Sequence, residues 1–193
     1  MKIKILAILS AFASLFLTLG VSGCGSSPSA PLTAAQFGAK YKFSPTDISG
    51  WQLDPTNSNA FQVLDESTSD NLTTLIDGGA GLYTDRGCTM TVYQSLVGPN
   101  GETADPVYAM DFGTAAHATA MFNYQAGNLT STPVSVPGFG SSVAIGYSAL
   151  ASTTVYAHFS AMYFELTLSG FADQTSPYQT AAQFLTVFQT KTN

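Results

Sequence analysis

The chain has 193 residues and a formal net charge of −6 at pH 7, from 12 acidic and six basic residues. An acidic surface repels phosphate backbones and anionic lipid headgroups, so the composition argues against nucleic-acid binding and against membrane attachment through a basic patch. Charged residues make up only 9% of the chain, compared with about 25% in ordinary soluble domains, so hydroxyl and amide side chains supply much of its polarity.

The first 24 residues have the pattern of a bacterial lipoprotein signal peptide. Two lysines near the start precede an uncharged apolar run over residues 5–19, and Val21-Ser22-Gly23-Cys24 then matches a lipobox. The small residues allow a signal peptidase to cut between Gly23 and Cys24, and the Cys24 thiol takes the diacylglycerol that anchors the chain. An ordinary secretory signal or a transmembrane helix is the alternative, but the apolar run is short for a membrane span.

This signal predicts a lipid-anchored protein of the bacterial cell envelope. In a cell with two membranes we expect the outer membrane, because Gly25 follows the lipid-bearing cysteine where an aspartate commonly causes retention in the inner membrane. Residues 1–23 are then the signal peptide, and the Gly/Ser/Pro-rich residues 24–32 are a flexible tether. Residues 33–193 have the length of a single domain with its own core.

Strands dominate the pattern of this domain. Thr33, Thr114 and the Ser176-Pro177 pair each favour the start of a helix. Strand formers between turn signals predict strands over residues 51–53, 61–64, 88–93, 107–112, 142–147, 153–159 and 162–169. Because hairpin connections outnumber crossovers, we predict an α+β fold, with a mostly antiparallel β-sheet and about three helices packed on one face.

A further helix is predicted from the apolar spacing of residues 71–86, with Asp70 or Asn71 as its cap and Gly87 at its end. Glycines at 78, 79 and 81 each weaken a helix by roughly 1 kcal/mol relative to alanine. Close packing of this helix on the sheet is the favoured explanation. A phosphate cradle is the alternative, although Gly-rich phosphate loops precede a helix and usually carry a lysine.

Two segments resemble an uncharacterised family of exported bacterial proteins, a domain of unknown function. Residues 76–83, Ile-Asp-Gly-Gly-Ala-Gly-Leu-Tyr, are similar to that family's I-N-G-x-A-x-L-Y helix, with Asp77 at the usual asparagine position. Residues 110–114, followed by Ala118, are similar to its Y-D-M-G-S-x-x-x-A turn, with Met110 in place of tyrosine. The likeness extends over residues 50–190 and implies the domain outline, but it brings no assigned activity.

A serine hydrolase is the first enzyme class to consider. Residues 140–144, Gly-Ser-Ser-Val-Ala, nearly match G-x-S-x-G, which would make Ser142 the nucleophile. The chain order of these hydrolases places an acid and then a histidine after the nucleophile. His158 follows, but residues 143–157 contain no aspartate or glutamate, so the order fails.

Metal binding has little support in the spacing of the possible ligands. His117 and His158 are the only histidines, and no H-x-x-x-H or C-x-x-C spacing is present. The acidic residues 65–70 contain several oxygen ligands that suit calcium, but they lack the glycine and the closing glutamate of an EF-hand. A solvated loop that caps a helix is the favoured interpretation, and we expect no metal and no cofactor.

Three other features have two interpretations each. Cys88 is either a reactive thiol or a small buried residue, and burial is favoured. Glu165 lies in an apolar strand and could be a buried acid of shifted pKa. Strand alternation places it on the opposite face from Phe164, so the favoured interpretation is that Glu165 faces solvent. The late strands carry three tyrosines, Tyr147, Tyr156 and Tyr163. They could line a groove that binds a sugar or an apolar ligand, or they could pack against each other across neighbouring strands.

The sequence therefore predicts a lipid-anchored binding or interaction module without enzymatic activity. It contacts the membrane through the lipid on Cys24 and does not bind nucleic acid, and its protein or small-molecule partner is unknown. An envelope hydrolase with an unrecognised active site is the alternative.

Overall fold

The computed structural model describes residues 30–149 and 151–193. The predicted signal peptide, the cleavage site between Gly23 and Cys24, and most of the predicted tether lie outside the described residues. Residues 32–193 form one compact unit. None of the described helices is both long enough and apolar enough to cross a membrane.

The described residues of this unit form four α-helices, one short 3-10 helix and seven strands. The helices are α1 Ala34–Tyr41, α2 Gly81–Thr84, α3 Ala115–Gly127 and α4 Ser176–Thr192. The strands are β1 Gln52–Leu53, β2 Phe61–Asp65, β3 Met90–Val97, β4 Thr103–Asp111, β5 Ala144–Ala149, β6 Ser152–Phe159 and β7 Met162–Ser169. The predicted strands are thus confirmed to within a few residues.

All seven strands belong to one antiparallel sheet. Its order is β1-β3-β4-β7-β6-β5, and β2 pairs with β3 on the same side as β1. The centre is formed by β4 and β7, and β5 is an edge strand. The predicted α+β class with a mostly antiparallel sheet is therefore confirmed.

Each central strand buries both of its faces. On β4, Val107 and Ala109 point into one core, whereas Tyr108 and Met110 point into another. The first core lies under α1 and α4 and is rich in phenylalanine, with the rings of Phe164 and Phe188 4.7 Å apart. The second core lies under α2 and α3 and is rich in tyrosine.

The helices therefore cover both faces of the sheet, so the prediction of helices on one face is wrong. The reason lies in the strand composition. A sheet with one solvated face alternates apolar and polar residues, but β7 carries large apolar or aromatic residues at five of its eight positions, and five consecutive residues are buried in each of β6 and β7. Such strands need cover on both sides.

The helix ends follow local chemistry. Thr33 and Thr114 cap α1 and α3 as predicted, accepting hydrogen bonds from the backbone N–H groups of Gln36 and His117. The Ser176-Pro177 pair begins α4 as predicted, with Thr175 as the cap residue, and Asp173 Oδ1 accepts from the backbone N–H groups of Thr175 and Ser176.

The helix predicted over residues 71–86 is not formed as one element. It consists of a single 3-10 turn at Leu72–Thr74, capped by Asn71, and the four-residue α2. Gly78 separates them with φ of +70°, a left-handed conformation that ends a right-handed helix. A Cβ on Gly79 would meet only the Ile76 side chain and no atom of the sheet, so the explanation by close helix–sheet packing is wrong.

We therefore expect Gly78→Ala to lower the free energy of unfolding by about 1 kcal/mol, because alanine is strained at this φ. Gly81→Ala is the matched control. Gly81 is exposed, its backbone is not left-handed, and a Cβ there meets only Asp85 Oδ2 at 3.7 Å, so this variant should be neutral or slightly stabilised. Urea unfolding of residues 25–193 measures both, and equal stability of the two variants would contradict the role of Gly78.

Candidate functional site

Among the described residues, Glu165 is the one buried acid, and it lies on the face of the sheet that the second core covers. Its side chain points away from Phe164 as strand alternation predicts, but the face it reaches is covered by α2, so Glu165 is only 9% exposed. Its Oε2 accepts hydrogen bonds from the Tyr83 hydroxyl at 3.1 Å and the Tyr163 hydroxyl at 3.2 Å. The favoured expectation that Glu165 faces solvent is therefore wrong, and the buried-acid interpretation is right.

Burial controls the ionisation of this group. Desolvation raises the pKa of Glu165 to about 7, although the two tyrosine hydrogen bonds favour the carboxylate and reduce the effect. Burial and the nearby carboxylate also raise the pKa values of the surrounding tyrosines: Tyr83, Tyr108, Tyr156 and Tyr163. Glu165 is thus the group in this cluster that titrates near neutral pH.

The tyrosines around Glu165 fill the space that a ligand would need. Tyr163 is fully buried and stacks on Tyr156 with 6.4 Å between ring centroids. The Tyr147 and Tyr156 hydroxyls are 3.3 Å apart. Of the two interpretations of the late-strand tyrosines, cross-strand packing is therefore confirmed. None of these three tyrosines lines the depressions described below.

The residues that suggested a hydrolase are engaged in structural contacts. His158 Nε2 lies 2.7 Å from the Ser142 backbone oxygen, and its Nδ1 lies 3.5 Å from the Thr119 hydroxyl. Ser142 therefore meets His158 through its main chain and not through its Oγ. His117 is exposed at the start of α3, with Nδ1 3.2 Å from the Phe112 backbone oxygen.

The free thiol and the acidic loop also have structural roles. Cys88 is buried, as predicted, and burial raises its pKa to about 12, so the thiol is protonated at neutral pH. In the acidic loop, Asp65 accepts from the N–H and hydroxyl of Ser67, and Glu66 accepts from the N–H of Leu72. Over residues 30–149 and 151–193, no three His, Cys, Asp or Glu side chains are grouped to hold a metal ion.

The open concave surface beside edge strand β5 is the candidate site, and we call it the β5–α4 groove. It consists of two depressions of about 370 and 560 Å³ that share Ser148 and Gln174. The smaller is lined by Ser152, Thr153, Phe171, Asp173 and Pro177, among others. The larger is lined by Thr132, Val134, Ser135, Pro137, Thr175, Tyr178 and Gln179. These volumes lie in the range of small-molecule sites.

The larger depression arises where a loop leaves the edge of the sheet. Val134 and Gly146 exchange two backbone hydrogen bonds, of 2.6 and 2.9 Å, in an isolated antiparallel bridge. Thr132 would meet Ser148 if that pairing continued, but the bridge stops after one pair, and both residues line the open space. Gly146 also allows Tyr178 to approach the strand, since a Cβ there would lie 2.6 Å from the ring.

Charge is nearly absent from this groove. Its lining contains no lysine, arginine or histidine. Its one acid, Asp173, accepts from the N–H groups of Thr175 and Ser176 through Oδ1 and from the Ser176 hydroxyl through Oδ2. These hydrogen bonds lower the pKa of Asp173. Its carboxylate is therefore already engaged at the start of α4.

This groove was not predicted from the sequence. One signal was present, because a glycine inside a strand often marks a place where another group approaches the backbone closely. Gly146 is such a glycine. The other contributors lie on a loop, a strand and a helix that are far apart in the chain, so their proximity depends on the tertiary fold.

No family model matches the chain, and no curated protein matches it. Among solved structures, the chain is similar to the extracellular domain of PknH from Mycobacterium tuberculosis, with 12% sequence identity and a TM-score of 0.49. The alignment covers 84% of this chain and 97% of that domain.

Proposed function

We propose that this protein is a lipid-anchored, non-enzymatic binding module of the bacterial cell envelope, which holds a small molecule in the β5–α4 groove. The lipobox at Cys24 supports the anchor and the envelope location. The groove carries the binding role, because it is an open cavity of suitable size lined by convergent polar groups.

Binding is favoured over hydrolysis by the positions of the reactive groups. A hydrolytic site needs a nucleophile or an acid beside a base, in a space that substrate can enter. Glu165 is enclosed by tyrosines, and His158 contacts the Ser142 main chain. The lining of the groove is hydroxyl, amide and apolar, which suits recognition more than proton transfer.

We expect Cys24→Ser to move the protein from the membrane fraction to the soluble fraction and to abolish metabolic labelling with a palmitate analogue, because serine has no thiol to accept the diacylglycerol. Ser26→Ala, two residues away in the tether, is the control and should remain labelled and membrane-bound. Labelling that persists in Cys24→Ser would contradict the anchor.

The outer-membrane location is part of the same proposal. In a cell with two membranes, density fractionation should place the wild-type chain in the outer membrane, and Gly25→Asp should shift it toward the inner membrane. Wild-type protein in the inner membrane would contradict this location without affecting the anchor.

The binding role is tested by nuclear magnetic resonance on labelled residues 25–193, which contain the whole compact unit formed by residues 32–193. The fragments tested are neutral, anionic and cationic. At least one of these three classes should shift the amide signals of Ser148, Gln174 and Tyr178. A groove that responds to no class would overturn the binding role.

A further inference from the structure

We infer that the β5–α4 groove recognises a neutral saccharide through a row of three hydroxyl groups on Thr153, Ser148 and Tyr178. This inference rests on the proposed binding role and names the chemical class of the ligand.

The row of hydroxyls can act as donor or acceptor at either end. The Ser148 hydroxyl lies 3.0 Å from the Thr153 hydroxyl and 3.0 Å from the Tyr178 hydroxyl. Three hydroxyls supply three hydrogens, and the two internal hydrogen bonds use two of them, so one hydrogen and several lone pairs remain. Because each hydroxyl can rotate, the free hydrogen can be at either end of the row or on Ser148, which is the exposed member between the buried Thr153 and Tyr178. A sugar hydroxyl also both donates and accepts, so it matches this row in either direction.

The backbone of β5 adds a donor and an acceptor in the same place. Gly146 directs both its N–H and its C=O outward to Val134. Along an antiparallel strand the outward-pointing residues alternate, so Ser148, two residues further on, also directs its N–H and C=O outward. No described residue pairs with them through the backbone. Ser148 therefore offers main-chain and side-chain groups to one ligand.

The electrostatics of the groove favour a ligand without charge. An anion would find no cationic side chain in the lining and would be repelled by Asp173. A cation would compete with the three hydrogen bonds that Asp173 already accepts. Neither loss applies to a neutral ligand.

The apolar part of the lining suits the C–H faces of a sugar ring. Val134 is 42% exposed, Pro137 is exposed, and Phe171 is half-buried at the smaller depression. Apolar surface next to hydroxyl and amide groups matches a pyranose, which has C–H groups on its faces and hydroxyls at its edge. The two connected depressions leave room for two or more sugar units.

The test titrates labelled residues 25–193 with neutral di- and trisaccharides of glucose, mannose, galactose and N-acetylglucosamine, and with glucuronic acid and glucosamine as charged counterparts. At least one neutral saccharide should shift the amide signals of Ser148, Ala149, Gln174 and Tyr178. Its affinity should exceed that of the charged sugars by about tenfold or more.

Two variants and a control establish the site. Ser148→Trp fills the groove and should abolish the shifts, whereas Gln174→Ala, at an exposed position, should weaken binding by roughly three- to tenfold without affecting the fold. Ser69→Trp, at an exposed loop position outside the groove, should bind like the parent chain.

The outcomes distinguish the ligand class from the binding role. Groove signals that respond to apolar or charged fragments but to no neutral saccharide would overturn the ligand class and leave the binding role intact. Groove signals that respond to nothing would overturn both. Saccharide binding that survives Ser148→Trp would overturn the assignment to this groove.

Discussion

We expect the stability of Glu165→Gln relative to the parent chain to depend on pH. The difference in free energy of unfolding, variant minus parent, should be about 3 kcal/mol larger at pH 8 than at pH 4.5. Burial raises the pKa of Glu165 from 4.5 to about 7 in the folded chain. Each pKa unit corresponds to about 1.4 kcal/mol of stability. Glutamine resembles the protonated acid in shape and remains neutral, so it does not lose stability as the pH rises.

The sign of this effect follows from proton binding. Below pH 4.5, Glu165 is protonated in both the folded and unfolded chains and does not make stability depend on pH. Between pH 4.5 and 7 the unfolded chain releases this proton while the folded chain retains it, so the free energy of unfolding falls as pH rises. Above pH 7 the loss is complete. Tyr83, Tyr108, Tyr156 and Tyr163 remain protonated throughout this range because their pKa values are raised.

The measurement is urea unfolding of residues 25–193 at several pH values from 4.5 to 8. Glu66→Gln is the matched control, because this half-buried glutamate lies in a loop next to solvent, and it should not reproduce the change. Tyr83→Phe should move the titration midpoint of Glu165 to higher pH, since it removes a hydrogen bond that favours the carboxylate. A stability difference between Glu165→Gln and the parent that is constant with pH would contradict the buried titration.

Gln94→Ala is expected to lower the free energy of unfolding by roughly 3–5 kcal/mol, a large share of the stability of a small domain. The Gln94 side chain is fully buried and forms two hydrogen bonds with the backbone of Phe43. Its Oε1 accepts from the N–H at 2.6 Å, and its Nε2 donates to the C=O at 3.0 Å. Alanine would leave both backbone groups without a partner inside the first core.

Gln62→Ala on the neighbouring strand β2 is the control. The Gln62 amide makes one long contact, 3.4 Å, to the Asn59 backbone oxygen near solvent, so its loss should cost less than about 1 kcal/mol. Thermal and urea unfolding of residues 25–193 compare the two. If Gln94→Ala is no less stable than Gln62→Ala, the bonds to Phe43 do not hold the segment after α1 on the sheet.

Most of the sheet could be predicted because strand formation depends on local patterns. The alternation and turn signals around β5, β6 and β7 were sufficient to place them, and Thr114 was sufficient to start α3. The prediction of a single helix before Gly87 was wrong for a reason that is also local. The apolar spacing of a helix is present, but Gly78 adopts a left-handed conformation within it.

The position of Glu165 and the groove could not be predicted in the same way. Alternation correctly placed Glu165 on the opposite face from Phe164, but whether that face meets water depends on α2 and α3. The groove depends on a loop that pairs with β5 at Gly146 and then departs. Such non-local pairings leave little trace in a single sequence.

The central strands are paired on both sides, whereas β5 lies at an edge of the sheet, and this difference affects how fast their backbone amides exchange hydrogen. Amides in β4 and β7 are paired with neighbours on both sides and covered on both faces, so they should exchange with deuterium only when the whole unit unfolds. The outward amide of Ser148 lies on an edge that is paired only as far as Gly146 and has no backbone partner among the described residues, so it should exchange directly with solvent. A ligand hydrogen-bonded to β5 would slow that exchange while leaving the centre of the sheet unchanged, so the exchange rate at this edge reports directly on occupancy.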